Sequence, residues 1–229
     1  MVKAVIFDLD DTLISEYEYV KSGFNHVSKI LSEKYGLNEK RIYEELLSMY
    51  RENSKNVFNR LLEKFNIPYV NEDILSLVKL YREHIPSINF YKDVIPFIDY
   101  LKTNNIKTGI ITDGYAETQK IKLEKLKAYE LVDYIIITDE LGKEYWKPHP
   151  KSFEMMRDCF NVNFDKMIYV GDNPEKDFYI NSVYPIKTVR VIRENSVYIN
   201  NKYKENIRED LFVKSLCELE NVISANDSY

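Results

Sequence analysis

The apolar residues of this 229-residue chain change their spacing twice along its length. Residues 2–9 form a short, almost continuous apolar run, which is typical of a strand covered on both faces. Between residues 16 and 84, apolar side chains recur every three or four positions, and this spacing predicts four amphipathic helices with no strand between them. After Pro86, short apolar runs alternate with helical segments.

The alternating part of the chain predicts an α/β protein with a doubly wound parallel sheet. Further strands are predicted at residues 106–112, 134–138, 167–171 and 187–192, and helices at residues 94–101, 116–126, 150–160 and 175–181. The polar segment 193–206 predicts a long surface loop, and helical spacing returns at residues 211–219. We therefore expect one sheet domain from residues 1–14 and 91–229, with residues 15–90 inserted as a separate helical cap.

Composition restricts the class of protein. The chain is 45% apolar and 30% charged, as soluble globular proteins are, and no apolar run approaches the ~20 residues of a membrane helix. Residues 1–3 lead directly into a strand instead of a signal peptide, so a cytoplasmic location is expected. A net charge of −5 with scattered basic residues argues against nucleic-acid binding. Cys159 and Cys217 lack metal-ligand spacing and are expected to be reduced packing residues in helices.

Polar residues follow the predicted strands at the edge where open parallel sheets bind ligands. Asp8 and Asp10 end the first strand and, in an extended chain, point to the same side. Two carboxyl groups in one site can divide the chemistry between an ionised nucleophile and a protonated general acid. After the second strand, Thr112, Asp113 and Gly114 offer a hydroxyl and backbone N–H groups at a strand-to-helix turn, which suits a phosphate.

Two more polar segments follow the third and fourth strands. Lys147 precedes two prolines in a stiff loop that can aim its ammonium group at a fixed point. Asp172 can complete an oxygen-ligand set for a hard cation, while Asp177 can hold Lys147 or a metal-bound water. Taken singly, each of these segments also fits an ordinary turn, a helix cap or a solvated surface.

In this order, the four segments resemble the motifs of the haloacid dehalogenase superfamily. Those motifs are D-x-D-x-T/V, a Thr or Ser after the second strand, a Lys before a Pro-containing stretch, and G-D-x-x-x-x-D. The resemblance covers residues 1–192, and the helical insertion is similar to the superfamily's first type of cap, found in phosphoglycolate phosphatase-like members. It implies an enzyme with a Rossmann-like core.

The resemblance implies different roles for the first two aspartates. Asp8 would be the nucleophile that forms an aspartyl-phosphate, and Asp10 would protonate the leaving alcohol and then activate water. For Asp10 to carry a proton near neutral pH, neighbouring charge would have to raise its pKa. The dehalogenases of this superfamily displace halide and lack the second aspartate, so Asp10 favours phosphoryl transfer.

The resemblance also implies a Mg²⁺ cofactor and a phosphate pocket. The metal would be held by the carboxylates of Asp8 and Asp172 and by the backbone carbonyl of Asp10, with Asp177 and Asn173 supporting them. The phosphoryl oxygens would be bound by the remaining motif residues, Thr112, Asp113, Gly114 and Lys147.

The choice of substrate is expected to lie with the cap. Residues 51–56 are similar to the specificity loop of related capped phosphatases, and Arg51 or Lys55 could read an acidic substituent there, although an exposed polar turn is the simpler interpretation. The expected substrate is a small phosphorylated metabolite: a sugar phosphate, a phosphoglycolate-like compound or a nucleotide. A capped phosphomutase of the same superfamily and a non-catalytic binding module are the alternatives, and no oligomeric state is predicted.

Overall fold

The central feature is a parallel β-sheet, seen in a computed structural model that describes residues 1–194, 196, 198 and 201–225. Among these residues, six strands form one sheet in the order β3-β2-β1-β4-β5-β6, and every neighbouring pair is parallel. The strands are β1 (Ala4–Phe7), β2 (Lys107–Thr112), β3 (Tyr134–Ile137), β4 (Met167–Gly171), β5 (Lys187–Val191) and β6 (Leu211–Val213).

Helices lie between and after these strands. The α-helices of the described residues are α1 (Glu16–Tyr35), α2 (Glu39–Glu52), α3 (Val57–Lys64), α4 (Asn71–Glu83), α5 (Val94–Thr103), α6 (Ala116–Lys125), α7 (Ala128–Leu131), α8 (Lys151–Phe160) and α9 (Glu218–Ala225). Short 3₁₀ segments lie at Thr138–Glu140, Lys143–Tyr145, Phe164–Lys166, Tyr179–Ser182 and Lys204–Asn206. The predicted α/β class and parallel sheet are confirmed.

Strand β1 lies in the middle of the sheet, where it is completely buried, as its continuous apolar sequence indicates. Ile6 of β1 pairs with Gly109 of β2 on one side and with Tyr169 of β4 on the other. Because the three strands are parallel and in register, their carboxyl ends meet at one edge of the sheet. The strand order reverses between β1 and β4, which is where sheets of this type bind ligands.

The chain divides into two compact units, Met1–Glu16 with Ile88–Tyr229, and Tyr17–Ser87. The second unit contains the four predicted helices, whose apolar faces pack on one another around Phe24, Leu46 and Leu61. In the first unit, one core lies between the sheet and α8 and includes Tyr169 and Phe153, whose ring centroids are 4.9 Å apart. Within the described part of the chain, no helix is both long and apolar enough to cross a membrane.

The helix predicted at residues 175–181 is wrong. After β4 the chain makes a tight turn, followed only by the 3₁₀ segment Tyr179–Ser182. The turn forms because Oδ2 of Asp177 accepts hydrogen bonds from the backbone N–H groups of Asp172 (3.2 Å) and Asn173 (2.9 Å). A side chain that binds the backbone in this way competes with regular helix formation.

The helix predicted at residues 211–219 is also wrong. Residues Leu211–Val213 form β6, which pairs in parallel with β5, and α9 begins only at Glu218. Asp210 holds the start of this strand beside β5, because its Oδ2 accepts hydrogen bonds from the backbone N–H and the hydroxyl of Thr188 (2.7 and 3.0 Å). The cysteine prediction is wrong in part, because Cys159 is exposed on α8 and Cys217 precedes α9.

The predicted surface loop at 193–206 begins with a buried residue. The guanidinium of Arg193 donates two hydrogen bonds to the carbonyl oxygen of Thr12 (3.0 and 2.8 Å) and one to Asp93 Oδ2 (2.7 Å). It therefore ties the start of the loop to the turn that follows β1. Residues 195, 197 and 199–200 of the predicted loop lie outside the described residues.

Candidate active site

Asp8 is the first residue after β1, and its backbone N–H continues the sheet pairing by donating to Val170 O (2.8 Å). Its carboxylate is 4% exposed and lies 2.7 Å from the ammonium group of Lys147. Burial raises the pKa of Asp8 to about 6, with the charge of Asp177 adding to the increase and Lys147 opposing it. Asp8 is therefore an enclosed carboxylate that is still mostly ionised near neutral pH.

The turn after Asp8 is closed by the backbone. The carbonyl oxygen of Leu9 accepts hydrogen bonds from the N–H groups of Leu13 (2.9 Å) and Ile14 (3.2 Å). Asp11 has a φ of 51°, in the left-handed region that short polar residues tolerate. Its Oδ1 accepts from the N–H of Glu16 at 2.9 Å, so Asp11 satisfies a backbone donor in the first turn of α1.

Asp10 binds to the helix α6. The ammonium group of Lys122 lies 2.7 Å from Oδ1 and 2.9 Å from Oδ2 of Asp10, and Gln119 Nε2 donates to Oδ2 at 2.9 Å. Burial alone would raise the pKa of Asp10, but the charge of Lys122 and the hydrogen bonds from Gln119 and Lys122 outweigh it and lower the pKa. The expectation that neighbouring charge raises the pKa of Asp10 is wrong for this structure.

Lys147 is completely surrounded by partners. Its ammonium group contacts Asp8 Oδ1 (2.7 Å), Asp177 Oδ1 (2.9 Å) and the hydroxyl of Tyr169 (2.8 Å). Burial would lower the pKa of Lys147, but the charges of Asp177 and Asp8 outweigh burial and raise it. Lys147 is thus a fixed positive charge between two carboxylates, and its peptide bond to Pro148 is cis.

Asp172 is the carboxylate that most clearly lacks a protein partner. Its Oδ2 accepts a hydrogen bond from Ser196 Oγ (3.0 Å), whereas its buried Oδ1 has no partner among the described residues. Burial raises the pKa of Asp172 well above its ordinary value, and the charges of Asp177 and Asp8 raise it further. A bound cation would remove this unfavourable balance.

The residues present fit a hard divalent cation. Carboxylate oxygens of Asp8, Asp172 and Asp177 lie within 4.8 Å of one another, and oxygen donors suit such an ion. Asp177 is already engaged by Lys147, by Tyr169 (3.1 Å) and by two backbone N–H groups. Asp8 and Asp172 are therefore the better-placed carboxylate ligands, with Asp177 fixing the loop around them.

The segment after β2 lies beside these groups. The Asp113 carboxylate accepts hydrogen bonds from Thr138 Oγ1 (2.7 Å), from the backbone N–H of Lys147 (3.1 Å) and from Lys176 Nζ (3.1 Å). Asp113 therefore connects the segments that carry these three donors. Burial would raise its pKa, but the charges of Lys147 and Lys176 outweigh burial and lower it. Thr112 is buried, and Gly114 adopts a φ of 122° at the start of the following loop.

Arg51 and Lys55 belong to the second unit. The guanidinium of Arg51 donates to the hydroxyl of Tyr17 at 3.1 and 3.3 Å. Lys55 is exposed, and its backbone N–H donates to Asn53 Oδ1 at 2.8 Å. A role for either residue in substrate choice stays a prediction.

Sequence reasoning missed several residues that lie in this site. Gln119 and Lys122 are buried on α6 and bind Asp10, and Tyr169 on β4 binds Lys147. A usable signal was present in α6, where Gln119 and Lys122 occupy the same buried stripe as Leu123. The only signal for Lys176 in the sequence was its position within the G-D-x-x-x-x-D motif.

The family model of the haloacid dehalogenase-like hydrolases matches residues 5–191. The chain belongs to this family of hydrolases. It is 29% identical over 200 residues to the glyceraldehyde 3-phosphate phosphatase of Methanopyrus kandleri, with 84% of this chain and 85% of that relative covered. It is 28% identical over 173 residues to the pyrophosphatase PpaX of Bacillus cereus, with 75% of each chain covered.

A solved structure with the same fold is the HAD phosphatase from Thermococcus onnurineus. The two structures superpose with a TM-score of 0.62 and 24% sequence identity, covering 97% of this chain and 98% of the other. This similarity supports the arrangement of the Rossmann-like sheet and its helices.

Proposed function

We propose that this chain is a Mg²⁺-dependent phosphatase that hydrolyses small phosphate monoesters through an aspartyl-phosphate on Asp8. The observation that carries the proposal is the different setting of two neighbouring carboxylates. Asp8 faces Lys147 and the acidic cation site, whereas Asp10 faces Lys122 and Gln119. Two carboxylates in separate environments suit a nucleophile and an acid/base.

In the first chemical step, a carboxylate oxygen of Asp8 attacks phosphorus while the P–O bond to the alcohol of the substrate breaks. Burial raises the pKa of Asp8 to about 6, which is still below neutral pH, and Lys147 orients the carboxylate by bonding Oδ1. As the ester P–O bond breaks, protonated Asp10 gives its proton to the leaving alkoxide, and the resulting carboxylate then removes a proton from the water that hydrolyses the aspartyl-phosphate. Because Lys122 and Gln119 outweigh burial and lower the pKa of Asp10, the first step requires that Asp10 take up a proton when the substrate binds.

Asp8, Asp172 and the backbone carbonyl of Asp10 are the proposed metal ligands. When bound there, Mg²⁺ would supply positive charge to the phosphoryl oxygens. Thr112, the backbone N–H groups at Asp113 and Gly114, and Lys147 supply the remaining positive or hydrogen-bonding groups of the phosphate pocket.

The class of substrate follows from the relatives named above. They act on glyceraldehyde 3-phosphate or on pyrophosphate, and a small phosphorylated metabolite is accordingly the proposed substrate of this chain. Helices α1–α4 are proposed to act as a cap that selects it, with Arg51 and Lys55 as candidate contacts.

The test is phosphate release from a panel that contains glyceraldehyde 3-phosphate, phosphoglycolate, sugar phosphates, nucleoside monophosphates and pyrophosphate. We expect activity that is lost on removal of divalent metal and restored by Mg²⁺. Asp8→Asn should abolish turnover, whereas Asp165→Asn, at an exposed surface position, should not. Full activity of Asp8→Asn, or of metal-free protein, contradicts the proposal.

One arm of the same experiment addresses the phosphomutase alternative. The protein is incubated with glucose 1-phosphate, and isomerised sugar is measured beside free phosphate. Free phosphate alone agrees with a phosphatase, while isomerised sugar without phosphate release would require the mutase assignment instead.

A further inference from the structure

Lys147, the lysine of the third motif, has all three of its hydrogen-bond donors occupied by the protein. An ammonium group has three N–H donors. Those of this lysine have three acceptors within 2.9 Å, which are Asp8 Oδ1, Asp177 Oδ1 and the hydroxyl oxygen of Tyr169. The side chain is also 0% exposed. Lys147 can therefore orient Asp8 and add positive charge, but to bind a further anionic group it would have to give up one of these partners.

A second lysine of the site, Lys176, is bound differently. Its ammonium group donates to Asp113 Oδ2 at 3.1 Å, and this is its one hydrogen bond among the residues that the structure describes. Two of its N–H donors thus have no acceptor in that part of the chain. The side chain is 25% exposed, so a ligand that enters the site from solvent can reach those two donors.

The contact with Asp113 places this ammonium group beside the end of β1. Lys176 lies in the turn after β4, whereas Asp113 directly follows β2. Strand β1 lies between β2 and β4, which are therefore roughly 10 Å apart, and the ion pair joins their ends across the carboxyl end of β1, where Asp8 lies. The Asp113 carboxylate is itself fixed through Oδ1, which accepts from Thr138 Oγ1 (2.7 Å) and from the backbone N–H of Lys147 (3.1 Å). The free donors of Lys176 are thus held close to the proposed nucleophile.

We propose that Lys176 determines substrate specificity by binding a second anionic group, a carboxylate or a phosphate, on the leaving alcohol of the substrate. This inference rests on the proposed phosphatase function. The transferred phosphoryl group must lie against Asp8, so the leaving alcohol extends from it toward solvent, and of the two lysines only Lys176 is exposed on that side. A hydrogen bond between two charged groups is about twice as strong as one between neutral groups. Esters with a second anionic group are therefore favoured over neutral esters of the same size.

The experiment compares three esters built on the same two-carbon alcohol. Phosphoglycolate has a carboxylate where 2-hydroxyethyl phosphate has a neutral hydroxymethyl group, and 1,2-ethanediol bisphosphate has a second phosphate. The parameter is kcat/KM in the presence of Mg²⁺, because it includes binding of the substrate. We expect the parent protein to hydrolyse one of the two charged esters at least about tenfold more efficiently than the neutral ester, and which one it is distinguishes a carboxylate from a phosphate. A parent protein without this preference would overturn the inference.

The variants are Lys176→Met, which removes the charge, and Lys176→Arg, which keeps it. For Lys176→Met we expect kcat/KM to fall at least about 100-fold with the preferred charged ester but no more than about tenfold with 2-hydroxyethyl phosphate. Lys176→Arg should retain the preference for the charged ester. The matched control is Lys166→Met, because Lys166 immediately precedes β4, at the opposite end of that strand, and is 48% exposed. It should behave as the parent protein with all three esters.

Equal losses with the charged and the neutral esters, or no loss, would overturn the specificity role of Lys176 and leave the phosphatase proposal intact. A parent protein that releases phosphate from none of the esters tested would contradict the phosphatase proposal itself. Calorimetric binding to Asp8→Asn, which should not turn the esters over, provides a second readout. Adding Lys176→Met to this variant should lower the affinity for the preferred charged ester, relative to 2-hydroxyethyl phosphate, at least about tenfold, and an unchanged ratio would overturn the inference. If Lys176→Met failed to fold, the preference of the parent protein would still decide.

Discussion

The ammonium group of Lys147 lies 2.7 Å from Oδ1 of Asp8, and the two side chains are 0% and 4% exposed. The same ammonium also contacts Asp177 Oδ1 at 2.9 Å. One buried cation therefore balances two buried carboxylates, and removing it would leave two buried like charges unpaired.

Replacing Lys147 should affect both activity and stability. Lys147→Met leaves Asp8 and Asp177 without their shared cation, and we expect a loss of about 3–5 kcal/mol in the free energy of unfolding. Phosphate release should fall at least about 100-fold because the nucleophile loses its orienting partner. Urea unfolding and phosphate assays measure these effects, with exposed Lys151→Met as the control. Unfolding curves that coincide with those of the parent protein would rule out this account of the ion pair.

Gly171 at the end of β4 should not tolerate a side chain. A Cβ atom there would lie 2.5 Å from Asp177 Oδ2 and 2.6 Å from its Cγ. Gly171→Ala should therefore displace the Asp177 carboxylate, costing about 1–3 kcal/mol of stability and most of the phosphatase activity. Calorimetry and phosphate assays test this.

Gly109→Ala on β2 is the matched control for this substitution. Its Cβ would meet the flexible end of Met156 at 2.8 Å, which can move aside. We expect activity to survive there. Equal loss of activity in both variants would show that the close approach of Asp177 to Gly171 is not the cause.

Asp93 should make stability depend on pH. Burial alone would raise its pKa, but Arg193 and the backbone N–H of Leu216 outweigh burial and lower it. Since the unfolded pKa is about 3.9, the stabilisation is complete above that pH and is lost as the pH falls through the lower folded value. Asp93→Asn should thus cost about 1–3 kcal/mol at pH 7 and less at pH 3.

Urea unfolding at the two pH values measures this difference, with exposed Asp99→Asn on α5 as the control. A deficit of Asp93→Asn that is as large at pH 3 as at pH 7 would mean that the charge of Asp93 is not what stabilises the protein. The Asp99→Asn variant should follow the parent protein at both pH values.

Lys176 should strengthen anion binding. Its ammonium group lies 3.1 Å from Asp113 Oδ2, and its side chain is 25% exposed, whereas that of Lys147 is fully enclosed. Lys176→Met should raise the inhibition constant of inorganic phosphate about tenfold, with a smaller change in kcat, because a reachable positive charge is removed. Lys166→Met, at a half-exposed side chain, is the control. An unchanged inhibition constant would exclude Lys176 from the phosphate pocket.

The sequence predicted most of the strands because a central parallel strand must be apolar on both faces. The run ending at Phe7 and the run Met167–Gly171 carry this signature without ambiguity. Strand β6 escaped prediction because its three residues lie at the edge of the sheet, where partial exposure allows a mixed pattern that also fits a helix. Pairing with β5, a tertiary interaction, decided between the two.

The sequence also determined the chemical content of the candidate site. Carboxylates, a hydroxyl and a lysine follow successive strands, and parallel strands bring their carboxyl ends to one edge, so Asp8, Lys147 and Asp172 were expected together. The local sequence pattern could not indicate which side chain pairs with each charged group. Whether a carboxylate is protonated depends on the groups that surround it in space, and these come from distant parts of the chain.

Asp10 illustrates the division between sequence and tertiary structure. The sequence alone showed that the first motif has a second aspartate at position 10, which the dehalogenases of the superfamily lack. Its contacts with Lys122 and Gln119 exist only because the fold packs α6 against the end of β1, joining residues more than one hundred positions apart. Burial amplifies the effect of such contacts, so tertiary structure decided that the pKa of Asp10 falls while that of Asp8 rises.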